Sequence, residues 1–316
     1  MRRRTLVLAT SLAGAFALAS AAAASNGGIA PVPPVSPNGQ RITDAYWVIL
    51  GITGAVFVIV EATLLTFVIR YRRRGRPKYE EGSEIAGDRN IEIAWTAVPV
   101  LLLAAIVAFV FYQLPGIKNV PPASASGGPL DITVEGHQFY WLFKYPSGRE
   151  SINNLFVPVN RVVSLKIVSA DVAHSFWVPA FGGKTDAIPG RTNHTWFQAQ
   201  KAGVYPIRCA EFCGILHTNM QGSVHVGTTA APVSGLGKQV FEGVCASCHG
   251  LSGQGLIGPA IATSPTLQDP AALRKLIENG FGKMPAVGKG WDDQLITALD
   301  AYLKSSFGGG GASSGG

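Results

Sequence analysis

Two long stretches almost free of charge, one on each side of a basic block, constrain this chain more than any other feature. Trp47–Ile69 runs for 23 residues with a single charge, Glu61, and Ala94–Tyr112 for 19 residues with none. A helix of about 20 apolar residues crosses the hydrocarbon of a bilayer. Arg70, Arg72, Arg73, Arg74, Arg76 and Lys78 lie between the two runs. Basic loops stay on the cytoplasmic side, so the first helix runs inward and the second returns. Gln113-Leu114-Pro115-Gly116 is expected to end the second helix, which gives a hairpin over 46–114. Everything after Pro115 is then extracytoplasmic.

This topology also explains the charge. The chain carries 26 Lys+Arg against 19 Asp+Glu. Removing that block and Arg2, Arg3 and Arg4 leaves 17 against 19. No basic domain remains to follow a phosphate backbone, which argues against a nucleic-acid partner. Residues 1–24 read as a signal peptide, with Arg2–Arg4 as the n-region, Leu6–Leu18 as the apolar core and Ala22-Ala23-Ala24 before the cleavage point. An extracytoplasmic segment over 25–45 follows, and its Pro- and Gly-rich part, 26–40, is expected at the surface. Glu61 and Glu92 sit at or near membrane depth, where an ionisable group suggests function; a paired or snorkelling carboxylate is the alternative for each.

Residues 129–227 read as an all-β unit. Expected strands are Asp131–Glu135, Val162–Val168, His174–Val178, His194–Gln198, Val204–Arg208 and Ser223–Val226, separated by turn signals such as Pro146-Ser147-Gly148. Short strands at this density suggest a Greek-key sandwich or barrel. The chemistry lies at Cys209-Ala-Glu211-Phe-Cys213-Gly-Ile-Leu-His217-Thr-Asn-Met220, with His174 upstream. Two His and one Cys with a weak Met are the ligands of electron-transfer copper, and a second Cys allows two thiolates to bridge two ions. A Cys209–Cys213 disulfide and a tetrahedral zinc site are the alternatives. Neither uses Met220.

After a Gly/Ala/Ser/Pro linker over Gly227–Gly235 comes Cys245-Ala-Ser-Cys248-His249, the attachment signature of a c-type haem. Met284 offers a sixth ligand, and a His/Met pair raises the haem potential. Helices are expected over Lys238–Cys245, from Asp269-Pro270 to Gly280, and over Asp292–Leu303, with Leu295, Leu299 and Tyr302 on one face. The Gly/Ser tail within 305–316 is expected to be unstructured. All four Cys fall into the two motifs, and the three Met are Met1, Met220 and Met284.

The copper-loop motif resembles subunit II of the haem–copper cytochrome oxidases. Gly136-His137-Gln138-Phe139-Tyr140-Trp141, Lys184-Thr-Asp186-Ala-Ile-Pro-Gly190-Arg191 and Glu92-Ile-Ala-Trp95-Thr96 with Pro99 extend the resemblance over 42–227. Residues 236–304 resemble a small class I cytochrome c. The combination implies a multidomain membrane protein of the caa type. Its parts would be a two-helix transmembrane hairpin, an all-β cupredoxin-like Greek-key domain and a small all-α cytochrome c domain.

The resemblance implies a dinuclear CuA centre on His174, Cys209, Cys213, His217 and Met220, with the backbone carbonyl of Glu211. It implies that the Glu211 carboxylate reaches a magnesium ion shared with subunit I, and that Glu92 stands near the entrance of a proton channel. It implies haem c bound covalently at Cys245 and Cys248 with His249 and Met284 as axial ligands. Phe139, Tyr140 and Trp141 match the aromatics where electrons enter, although the family's run begins with Trp rather than Phe. The implied function is that of a proton-pumping cytochrome c oxidase in a bacterial plasma membrane. Its partners would be subunits I and III, with a quinol–cytochrome c reductase or a small cytochrome c as donor. The alternatives are an electron-transfer subunit of a nitric or nitrous oxide reductase, and a copper-delivery protein. The fused domain is expected to act as a tethered donor that lessens the need for a docking face.

Overall fold

The computed structural model describes residues 30–72, 84, 87–121, 127–227 and 235–307. The expected signal peptide, Arg73–Lys78 of the basic block, most of the linker (228–234) and the tail from Gly308 lie outside the described residues. The chain divides into two units, Gln40–Asn119 and the remainder.

The first unit is helical. Helix α1 spans Pro37–Arg70 and helix α2 Arg89–Lys118. Both are apolar all round and their central windows are unburied, as lipid-facing helices require. The hydroxyls of Thr53, Thr63 and Thr66 donate to carbonyls one turn back, which pairs these three groups within their own helix. Asp88 caps α2 by accepting from the Asn90 and Ile91 amides, and Lys118 stands in its last turn. Arg41 donates to Gln113 across the hairpin at 2.9 Å.

Two helix boundaries and the burial of two residues differ from expectation. Helix α1 starts at Pro37 rather than at 46, because the polar residues before Trp47 continue the helical turn. Helix α2 passes through Pro115 to Lys118; the ring removes one donor near the helix end, and the Asn119 amide closes the last turn on the Pro115 carbonyl. Ser36 and Asn38, expected at the surface, are buried. Ser36 Oγ donates to the Phe181 carbonyl and Asn38 Nδ2 to the Trp196 carbonyl, each at 2.7 Å.

The second unit begins with a ten-stranded sandwich. Its strands are β1 Leu130–His137, β2 Tyr140–Lys144, β3 Glu150–Ile152, β4 Asn154–Val157, β5 Val162–Ser169, β6 His174–Trp177, β7 Thr185–Ala187, β8 Asn193–Gln198, β9 Gly203–Cys209 and β10 Gln221–Val226. One sheet runs β3-β2-β1-β5-β8 and the other β4-β10-β9-β6-β7. β1 pairs with β5 and β4 with β10 in parallel; the other pairings are antiparallel. Ile132, Val134, Trp141, Phe143, Leu165, Ile207 and Val224 interdigitate between the sheets.

β2, β3, β4 and β7 were not among the expected strands. β2 lacks the alternation of a half-buried strand because both of its faces are covered. Trp141 and Phe143 enter the sandwich core, whereas Tyr140 and Leu142 join a second core with Ile152.

That second core belongs mostly to the C-terminal helices. Helix α3, Leu236–Val240, passes through a π turn at Phe241–Cys245 into α4, Ala246–His249. Helix α5, Pro270–Asn279, is capped by Asp269 and ended by Gly280. Helix α6 is Asp293–Phe307, with Leu295, Leu299 and Leu303 buried. The domain is therefore docked on the sandwich as well as tethered to it, and its core takes in Tyr140, Leu142 and Ile152 of the β unit.

Candidate metal centre

His174 opens β6, Cys209 ends β9, and Cys213 lies in the loop between β9 and β10. Antiparallel pairing sets Phe176 opposite Cys209, which fixes the register of the two strands. The ligand atoms of His174, Cys209 and Cys213 consequently lie within 4.8 Å of one another. The two sulfurs are 3.9 Å apart, about twice a disulfide length, so both thiols are free. At ~2.3 Å per metal–thiolate bond, both can reach the same ion. The other atoms follow: Cys213 Sγ is 3.4 Å from His217 Nδ1 and 3.8 Å from Met220 Sδ. Met220 is fully buried. Glu211 turns its carbonyl to Cys209 Sγ at 3.3 Å, and its carboxylate lies 3.7 Å from Lys184 Nζ. Two thiolates, two imidazoles, a thioether and a carbonyl form a soft donor set that fits copper.

Neighbouring groups hold this cluster. Asp171 accepts from His174 Nε2 at 2.7 Å and so turns Nδ1 toward Cys209, 3.9 Å away. Burial lowers the His174 pKa, but the bonds to Asp171 and Cys209 outweigh it and leave the imidazole above its usual value. Burial raises the Cys209 thiol, yet the His174 contact and backbone donors bring it below the ordinary range. Burial, followed by the charge on Cys209, pushes Cys213 up to about 12. Gly136 lets the His174 ring lie against β1, where an added Cβ would stand 2.9 Å from Cδ2. Asp171 was absent from the sequence reading; its position three residues before His174 is the only signal that could have marked it.

His137, His194 and His225 lie outside the cluster. His137 stacks on Tyr140 with centroids 4.6 Å apart, and His225 stacks on Phe156. His194 pairs in register with Lys166. Phe139 is half-buried at the edge of the sandwich core, with its ring over Gly214. Tyr140 and Trp141 are both fully buried. Glu92 is exposed in the first turn of α2.

In the C-terminal domain, His249 Nδ1 bonds the Pro259 carbonyl at 2.8 Å, which leaves Nε2 available as a ligand. Cys245 and Met284 both pack against the second core, and burial pushes the Cys245 thiol up to about 12. A thioether at this position has no such proton to hold. Leu251 (69% exposed), Leu256 (68%) and Ile257 (70%) follow the motif closely in sequence, and Phe281 (81%) bridges to Met284, so both ligand segments carry exposed apolar side chains of the kind a porphyrin would cover.

Three family comparisons agree with this geometry. The transmembrane domain of cytochrome c oxidase subunit II matches residues 25–113, and the periplasmic domain of that subunit matches 149–226. Subunit III of the cbb3-type oxidase, a cytochrome family, matches 235–303. Cytochrome c oxidase subunit 2 of Alkalihalophilus pseudofirmus is 32% identical over 312 residues, covering 86% of this chain and 89% of that relative. The subunit of Cereibacter sphaeroides is 30% identical, covering 69% of this chain and 86% of the relative. The crystallised periplasmic domain of subunit II from Bradyrhizobium japonicum is 38% identical, covering 35% of this chain and 88% of that structure, with a TM-score of 0.32. The matched families imply a CuA copper centre and a haem c, on a membrane protein with an extracytoplasmic domain that is a subunit of an oxidoreductase. The chain belongs to the cytochrome c oxidase subunit II family and carries a cytochrome c domain at its C-terminus.

Proposed function

We propose that this chain is the electron-delivering subunit of a proton-pumping, caa-type oxidase in a bacterial plasma membrane. A haem c held by residues 236–304 would take up electrons, and a copper pair held by the sandwich would hand them on to the haem of subunit I for oxygen reduction. When bound, the copper pair and the haem supply one-electron exchange at fixed positions.

The chain's own residues do the holding. Cys209, Cys213, His174, His217, Met220 and the Glu211 carbonyl would hold the copper pair. The Glu211 carboxylate is left for a magnesium ion shared with subunit I. Cys245 and Cys248 would anchor the haem, and His249 and Met284 would hold its iron. Glu92, at the cytoplasmic end of α2, feeds protons to subunit I. Subunit III and a quinol-oxidising complex or small cytochrome c complete the partners.

The observation that carries this reading is the convergence of His174, Cys209 and Cys213 within 4.8 Å, with both thiols free. The test is the Cys209→Ser, Cys213→Ser variant of the assembled oxidase. It should keep its haem c spectrum and lose oxygen turnover; unimpaired turnover would overturn the reading. Glu92→Gln should slow turnover while leaving haem-to-copper transfer unchanged, and an effect on that transfer would remove its proton role.

A further inference from the structure

Strand β2 is the one element of the sandwich that belongs to both cores. Its alternating faces send Trp141 toward the metal cluster and Tyr140 toward the cytochrome domain. The Trp141 ring meets His174 edge-on, with centroids 6.0 Å apart at 64°. On the other face, Tyr140 Oη donates to the Val287 carbonyl at 2.9 Å and accepts from Trp291 Nε1 at 2.8 Å. The Trp291 bond is buried and the Val287 bond part-buried, so Tyr140 ties the C-terminal domain to β2 at two points.

Asn153 makes a second connection from the turn between β3 and β4. Its Oδ1 accepts from the Trp141 amide at 2.8 Å, and its own amide donates to the Trp141 carbonyl at 2.8 Å. Its Nδ2 donates to the Gly243 carbonyl at 3.4 Å. Asn153 has φ 56°, a left-handed conformation that Asn tolerates better than most residues. Gly243 allows the approach, because a Cβ there would stand 2.7 Å from Ile152 and 2.8 Å from Asn153. These joints touch the two segments that matter for the haem: Gly243 lies two residues before Cys245, and Val287 three residues after Met284.

We propose that β2 is the joint that couples the two redox domains, with Tyr140 and Asn153 linking the cytochrome domain to Trp141 and Trp141 linking it to His174. The half-buried Phe139 face is not that joint. The proposal rests on the electron-delivery reading above. In each transfer one electron is given up at the haem iron and taken up at the copper pair; no bond forms or breaks and no proton moves. The Tyr140 phenol keeps its proton, since burial holds it well above the ordinary tyrosine range. Tyr140, Asn153 and Trp141 are thus positioning residues.

The test uses the full chain in detergent with both cofactors bound. The haem is reduced by a laser flash, and electron arrival at copper is followed optically. Tyr140→Phe keeps the ring but removes both hydroxyl bonds; Asn153→Ala removes the side-chain bonds to the Trp141 amide and the Gly243 carbonyl and guards against a folding defect in the first variant. In both, internal transfer should slow several-fold. Amide exchange in residues 287–296 should quicken about tenfold, as expected for losing one or two hydrogen bonds. The haem spectrum and the copper magnetic resonance signal should stay as they were. Unchanged internal transfer, or unchanged exchange, overturns the proposal. So does slowing by Phe139→Leu with none by Tyr140→Phe. Absence of either cofactor signal in the unaltered chain would instead sink the functional reading.

Discussion

The two redox domains hold their sites in opposite ways. The sandwich brings His174 and Cys209 together by strand pairing beside a well-filled apolar core, and Cys213 joins them from the loop between β9 and β10. The cytochrome domain has short helices, a core shared with β2, and the large, mostly exposed apolar side chains Leu251, Leu256 and Ile257 in the loop after its Cys-x-x-Cys-His segment. In one domain the fold prepares the cofactor site. In the other the cofactor is part of what the fold is built around, and the sandwich supplies part of the rest.

The largest expected break in this comparison comes from haem. Cys245→Ala with Cys248→Ala should abolish slow amide exchange over residues 236–307 while the sandwich keeps its own; equal retention in both domains would refute the contrast. Next is copper. Chelation should leave the sandwich cooperatively folded and lower its stability by about 3–4 kcal/mol, the worth of a ligand bound at ~100–1,000 times its dissociation constant. Collapse of the sandwich on chelation would make the two domains alike.

A smaller effect sits where the domains meet. Burial, and after it the charge of Asp292, pushes the Glu150 carboxyl up to about 7 from 4.5. Between those values the folded chain holds a proton that the unfolded chain has released. Stability present below about pH 4.5 is therefore lost as pH rises through 7, on the order of 2 kcal/mol. Denaturation across that range should show the decline, and Glu150→Gln should flatten it. The smallest effect is the helix cap. Asp269 accepts from the Ala271 and Ala272 amides, so Asp269→Ala should cost the haem-bound domain about 1 kcal/mol in thermal unfolding.

The sequence was readable where one constraint acts alone. Uniform apolarity located both spans, short strand-like runs between turn signals located β1, β5, β6, β8, β9 and β10, and Asp269 with Gly280 bracketed α5. Ligand spacing located the copper loop, because Cys209, Cys213, His217 and Met220 are close in sequence. Reading failed where two constraints overlap. β2 is apolar on both faces because it serves two cores, so Tyr140-Trp141-Leu142-Phe143 shows no alternation. Pro115 reads as a stop, but so near the helix end its missing donor is tolerated. Asp171, Asn153 and Trp291 carry no local motif; their roles exist only once His174, Trp141 and Tyr140 are brought to them.

The central claim is that this chain bears a bridged copper pair on the sandwich and a His/Met haem on the docked domain. It is tested most directly by electron paramagnetic resonance of the full-length chain, together with its copper-to-iron ratio. The account predicts twice as much copper as iron, with one unpaired electron shared equally by two copper nuclei, beside a low-spin haem c. Equal copper and iron, with the electron confined to a single copper nucleus, would contradict it.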